Sequence, residues 1–139
     1  MRQNPSRLPE ERTPDCCATR YPLLMVHGAG FRDRRHWNYW GRIPRELQAR
    51  GARVYYGWQD AWGRLEDNAR VVAKAVDAAL AETGADKVNV IAHSKGGLDA
   101  RYMISCLGMG AQVASLTTVS TPHRGSQVID RLVKMPDGL

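Results

Sequence analysis

One serine in this chain is set up for chemistry. Ser94 stands in Ala92-His93-Ser94-Lys95-Gly96, with a small residue two positions to either side. Before it, Val88, Val90 and Ile91 make a short β-branched stretch, and after it Gly97 to Met103 is compatible with a helix. A serine at the apex of a strand, a tight turn and a helix is the setting of a nucleophile elbow. In a turn that sharp, bulk at the flanking positions would collide as strand and helix pass each other, and Ala92 and Gly96 are small enough. The hydroxyl is then exposed at the carboxyl end of the strand. The next backbone N–H, that of Lys95, points to where a developing oxyanion is stabilised at the helix N-terminus. The chemistry that suits this arrangement is attack on a carbonyl carbon. A helix-capping serine or an ordinary strand-to-helix turn would give the same five letters; the flanking strand and helix favour the nucleophile.

The elements around it alternate. Tyr21 to His27 is a compact apolar run that predicts a buried parallel strand, ending in His27-Gly28-Ala29-Gly30-Phe31. Glycines directly after a buried strand let the loop fold close over the sheet edge. Pro44 to Arg50 reads as a helix closed by Gly51, and the aromatics before it, Trp37 and Trp40, as wedges against the sheet, with a substrate-facing role for either as the lesser reading. Ala52 to Gly57 is a second strand, and Asp60 in the following loop reads as a turn residue. Leu65, Ala69, Val72, Val76, Ala79 and Thr83 recur at helical spacing and predict a long amphipathic helix facing the sheet. Ser115 to Ser120 is a fourth strand running into Thr121-Pro122-His123-Arg124-Gly125-Ser126, and Val128 to Val133 a last helical piece. Four strands alternating with helices predict an α/β fold with a parallel sheet. In such sheets ligands bind beyond the carboxyl ends of the strands, and three loops converge there.

Composition narrows the class. The 139 residues allow one domain with a modest core, and 43% hydrophobic with 24% charged residues is ordinary for a globular chain. Residues 1–20 are polar and aperiodic and read as a flexible leader, with residues 21–139 as the folded part. That leader lacks the apolar stretch of a secretory signal, which on its own reads as cytoplasmic. Cys16 and Cys17 are adjacent and Cys106 falls in a helix; an odd count with this spacing is no disulfide framework, and Cys106 is expected in or near the core. No Cys/His spacing suits zinc. The net charge of +6 comes with arginines at 32, 34, 35, 42, 45, 50 and 53, which fall mostly on a loop and the outer face of a helix and not on a recognisable nucleic-acid-binding module. A solvated basic face, with attraction to an anionic lipid surface as a secondary use, is preferred over nucleic-acid binding.

Taken together, YPLLMVHGAGF, YWGRIP, GARVYY, KVNVIAHSKGG followed by RY, and STPHRGS resemble, in this order, the bacterial triacylglycerol lipases of the α/β-hydrolase superfamily. The resemblance runs from Tyr21 to the C-terminus and implies an α/β-hydrolase fold with a truncated parallel sheet flanked by helices. It implies Ser94 as nucleophile and an oxyanion hole from the backbone N–H groups of Ala29 and Lys95. His27, Gly28, His93 and Gly96 become supporting loop residues, with His93 turned away from Ser94. The substrates implied are acylglycerols or other lipid esters, with contact at a lipid interface, and secretion is left open. No cofactor is implied, and no metal within these residues. Short-chain esters, acyl transfer to another alcohol, and a catalytically silent hydrolase-fold chain remain alternatives. Lys95 is unusual at its position: its ammonium either is a bystander, adds positive potential at the oxyanion, or helps hold a lid or substrate.

In α/β-hydrolases the triad runs serine, acid, histidine along the chain. After Ser94 the acids are Asp99, Asp130 and Asp137 and the histidine is His123, and no assignment among them gives that order comfortably. The sequence is therefore expected to correspond to the N-terminal portion of such an enzyme, with weak activity by itself.

Overall fold

The computed structural model describes residues 15–29 and 39–127. Phe31, the arginines at 32, 34 and 35, Trp37, most of the polar leader and the helical piece expected at 128–133 lie outside the described residues. Four parallel strands, β1 (Leu23–Val26), β2 (Val54–Tyr56), β3 (Val88–His93) and β4 (Val113–Val119), form one sheet in the order β2-β1-β3-β4. Between them run α1 (Ile43–Gln48), α2 (Leu65–Thr83) and α3 (Lys95–Cys106), and a short 3₁₀ turn leads into β4. Consecutive parallel strands need crossovers, and each helix supplies one.

β1 and β3 occupy the middle of the sheet, and register sets them side by side: Leu24 beside Val90, Met25 beside Ile91, Val26 beside Ala92. Every residue of β1 is buried, as expected of a strand covered on both faces. α2 begins and ends where its apolar spacing predicts. Ala69, Val72, Val76 and Ala79 of that stripe are fully buried against Leu24, Val26, Val88 and Val90. Ala100 and Met103 of α3 join the same core, so α2 and α3 cover one face of the sheet around β3. This fixes the strand that carries Ser94 on both sides of its turn.

Some elements differ at their ends. β4 starts at Val113, two residues before the expected strand, and β2 is three residues long. Residues 15–20, read above as leader, lie along the sheet's amino edge: the Cys17 N–H donates to the Arg50 carbonyl, and Arg53 to that of Arg20. Cys106 is exposed at the end of α3, not in the core as expected, because the inward positions of that turn are taken by Met103 and the partly buried Leu107.

Candidate active site

Ser94 sits at the break between β3 and α3. Its backbone has φ +52° and ψ −129°, a conformation that residues with a side chain rarely adopt. The strain is held by neighbours on all sides. The Ser94 N–H donates to the Val119 carbonyl of β4 at 2.8 Å, and the Gly97 N–H donates to the Ser94 carbonyl at 3.1 Å. A side chain at Gly96 would strike the carbonyl of His27 and come within 2.7 Å of that of Val26, both backbone atoms that cannot move aside. Here lies the physical reason for the small residue after the serine: α3 starts with its backbone against the end of β1.

The β1 loop closes over the same point. A Cβ on Gly28 would lie 2.7 Å from the Ser94 Cβ and 2.6 Å from the Tyr39 hydroxyl, so only glycine lets the loop run this near the serine. The His27 ring is buried and its Nδ1–H donates to the Gly28 carbonyl at 2.8 Å, which pins the loop from behind. Below it, the buried Gln59 amide donates to the His27 carbonyl at 2.6 Å. Ala29 and Ser94 line one cavity, and among the described residues neither the Ala29 nor the Lys95 backbone N–H has a hydrogen-bond acceptor. Of the two expected oxyanion donors, Ala29 shares that opening with the serine, and Lys95 follows Ser94 as the first residue of α3.

That cavity has a volume of about 670 Å³. Its lining is mostly apolar, with Met25, Ile91, Ile43 and Leu47 beside Trp40, while Ser94, His93 and the Tyr39 hydroxyl bring polarity. Two expectations change here. Trp40 faces the cavity and not a packed wedge, while Trp37 lies outside the described residues. His93 is not turned away: as residues two apart on a strand share a face, it follows Ile91 toward the cavity, where its Nδ1 is hydrogen-bonded to the Tyr39 hydroxyl.

Tyr39 was not singled out by sequence. Burial raises its phenol pKa, with the Gly28 backbone at its oxygen acting the other way, so the neutral hydroxyl ties the β1 loop to His93. The signal available was its place in YWGRIP, a few residues after the glycine loop.

Lys95 makes an ion pair that its three expected uses did not include. Its ammonium donates to both carboxylate oxygens of Asp99, at 2.9 and 3.2 Å, one helical turn further along α3. Asp99 is 1% exposed and also accepts from Asn68 Nδ2 of α2 at 3.2 Å. Burial raises the Asp99 pKa, and the Lys95 and Asn68 contacts pull it part of the way back. Asn68 in turn holds the Asp60–Gly63 turn, donating to the Asp60 carbonyl and accepting from the Asp60 N–H. Asp60 itself accepts from the Trp62 N–H, the turn role expected of it.

His123 bonds elsewhere, and Asp130 and Asp137 lie outside the described residues. The His123 Nδ1 accepts from Arg101, so its Nε2–H donates to the Thr118 hydroxyl, each at 3.0 Å, on the exposed side of α3. Ser94 receives no side-chain hydrogen bond from a described residue. Among the described residues no group of three or more His, Cys, Asp or Glu side chains could hold a metal ion.

The family of the PGAP1-like alpha/beta domain matches residues 61–135, which include the elbow and the loop after β4. A triacylglycerol lipase of Pseudarthrobacter phenanthrenivorans is 43% identical over 119 residues, covering 81% of this chain and 36% of the relative. A triacylglycerol lipase of Burkholderia plantarii is equally similar, with 32% of its length covered, so the chain spans about a third of the curated relatives it matches. The mature-form crystal structure of Bacillus licheniformis lipase BlEst2 superposes with a TM-score of 0.75 at 22% identity, over 91% of this chain and 50% of that one. At that identity the likeness speaks to fold, and it is the α/β-hydrolase fold that the four-stranded parallel sheet and its helices display. By the family match and these relatives, the chain belongs to the PGAP1-like alpha/beta domain family and is a bacterial-lipase-like member of the α/β-hydrolase superfamily.

Proposed function

We propose that this chain carries the nucleophile and oxyanion hole of a serine carboxylic-ester hydrolase acting on acylglycerols or other lipid esters. Ser94 Oγ attacks the ester carbonyl, forming the C–O bond of an acyl-enzyme as the alcohol leaves with a proton. The Ala29 and Lys95 N–H groups hold the oxygen on which charge gathers, and water then releases the acid. The observation that carries the reading is the strained Ser94 opening, beside the glycine-tight β1 loop, onto a mostly apolar cavity. The relatives named as triacylglycerol lipases supply the substrate class, and the apolar lining suits it.

Asp99 is bound up with Lys95 and Asn68, and His123 with Arg101 and Thr118, so within the described residues no base reaches Ser94. Losing a triad partner costs roughly 10⁴–10⁶ in rate, so turnover by this chain alone is expected to be slow. A catalytically silent hydrolase-fold chain is the second reading, and this missing base is what favours it. Release of p-nitrophenol from esters of increasing acyl length, by wild type and Ser94→Ala, separates the cases. Slow turnover that requires Ser94 and favours longer chains supports the lipase reading, while preference for acetate supports a short-chain esterase. Equal rates with and without Ser94 support the silent one.

A further inference from the structure

Two thiols face each other at the amino edge of the sheet, opposite the edge that carries Ser94. Cys16 and Cys17 are consecutive, with their Sγ atoms 3.8 Å apart and hydrogen-bonded. Cys16 is exposed and Cys17 half-buried, and both are free. In extended chain consecutive side chains point to opposite faces, so a turn is needed to bring these two together. The Ala18 N–H donates to the Asp15 carbonyl at 2.9 Å and closes that turn. The turn is also tied to the body of the domain, where the Cys17 N–H donates to the Arg50 carbonyl at 2.8 Å, just past α1. It seats on Gly51: a Cβ there would lie 2.9 Å from Asp15 Oδ1 and 3.0 Å from Asp15 Cα. The fold therefore presents the pair in one arrangement, and little ordering is left for a ligand to impose.

The geometry narrows what the pair can hold. Neighbouring Cα atoms stand about 3.8 Å apart across a trans peptide, nearer than the roughly 4.4–6.8 Å that a disulfide spans. An atom that bridges the sulfurs adds a member to the ring and eases that constraint. Zinc takes four ligands, and among the described residues no group of three or more His, Cys, Asp or Glu side chains could hold a metal ion. A divalent ion must also expel the thiol protons. Burial and the Cys16 thiol raise the Cys17 pKa, with Arg50 acting the other way, so the proton is held. The centre that fits is soft, complete with two sulfurs, and able to react with neutral thiols. A trivalent arsenical with one carbon substituent meets these conditions.

We propose that Cys16 and Cys17 form a dithiol site that chelates trivalent organoarsenicals, independently of the chemistry at Ser94. The arsenic–oxygen bond of an arsenoxide gives way to two arsenic–sulfur bonds, and both thiol protons leave with the oxygen as water. Arsenic stays trivalent, so neither oxidant nor reductant takes part. Because the second sulfur already stands beside the first, the second bond closes intramolecularly and the chelate outlasts a single-thiol adduct.

The test is incubation of the full chain, reduced beforehand, with one equivalent of phenylarsine oxide, followed by intact mass. The expected product gains one phenylarsenic group and loses two hydrogens. It survives excess 2-mercaptoethanol and is released by 2,3-dimercaptopropanol. Cys16→Ser and Cys17→Ser should each lower retention against 2-mercaptoethanol by roughly 100-fold or more, while Cys106→Ser keeps the adduct. Far-UV circular dichroism identical to wild type shows that the loss is of the thiol and not of the fold. Absence of any adduct overturns the proposal. So does wild-type retention in either single variant, or loss of the adduct in Cys106→Ser. Concentrated urea tests the part played by the fold: the unfolded chain should bind phenylarsine oxide more weakly, and equal affinity in both states would overturn the preformed site.

Discussion

Replacing Lys95 with Met should unfold this protein more readily at neutral pH than in acid, and the reason is Asp99. The carboxylate is 1% exposed and its ion-pair partner is an ammonium 27% exposed on the same helix. Removing one partner of a buried pair strands the other charge, at about 3–5 kcal/mol, and the partial exposure of Lys95 points to the lower end. Burial already raises the Asp99 pKa, and the Lys95 contacts are the strongest influences lowering it, so the variant's carboxyl titrates higher still. A carboxyl whose folded pKa lies above its unfolded value loses stability as pH rises from the unfolded value, about 3.9, through the folded one. Both proteins follow that sign, and the variant falls further because its window extends higher. The difference between them should therefore be small near pH 4 and reach about 3 kcal/mol near pH 7. Urea unfolding followed by far-UV circular dichroism at the two pH values measures it, as a midpoint shift of roughly 1–2 M at neutral pH. Lys95→Met combined with Asp99→Leu should recover most of the loss, since the buried charge leaves with its partner and only the Asn68 amide is left wanting. A loss below about 1 kcal/mol, equal at both pH values, would refute the buried-pair account.

Three further outcomes follow from the elbow. Ser94→Gly should be more stable than Ser94→Ala by about 1–3 kcal/mol, because glycine adopts φ +52° without strain; equal midpoints would mean that the turn stores none. Gly96→Ala should fail to give soluble folded protein, as its Cβ meets the Val26 and His27 backbone, whereas Gly97→Ala meets the Thr121 side chain and should be rescued by Thr121→Gly; circular dichroism of the four proteins decides. Tyr39→Phe removes the hydroxyl that joins His93 to the Gly28 loop, so it should destabilise by about 1 kcal/mol and slow Ser94 phosphonylation, and an unchanged labelling rate would show that the loop does not need this brace.

Much of the frame was legible because periodicity and turn chemistry act locally. The α2 stripe from Leu65 to Thr83 could be read to the residue, since a long amphipathic helix states both its face and its ends. The elbow could be read because a small residue at 96 is demanded by a backbone contact that any such turn makes. What escaped depended on partners distant in sequence. Asp99 follows Lys95 by four residues, a visible pairing, yet its burial comes from Asn68 and the turn at 60–63, 31 and more residues upstream. Tyr39 meets His93 across 54 residues, and Gln59 meets His27 across 32, contacts that no local pattern encodes. His93 illustrates a subtler failure: turn geometry suggested that it points away, while strand alternation sends it toward the cavity.

The claim on which the rest stands is that the Ser94 hydroxyl is a nucleophile held beside two waiting backbone N–H groups. Incubation with a fluorophosphonate, followed by peptide mass mapping, tests it most directly. The account predicts a phosphonyl adduct on the peptide containing Ser94, slow but progressive, and absent from Ser94→Ala. No adduct at that peptide after prolonged incubation, or the same labelling in Ser94→Ala, would contradict it.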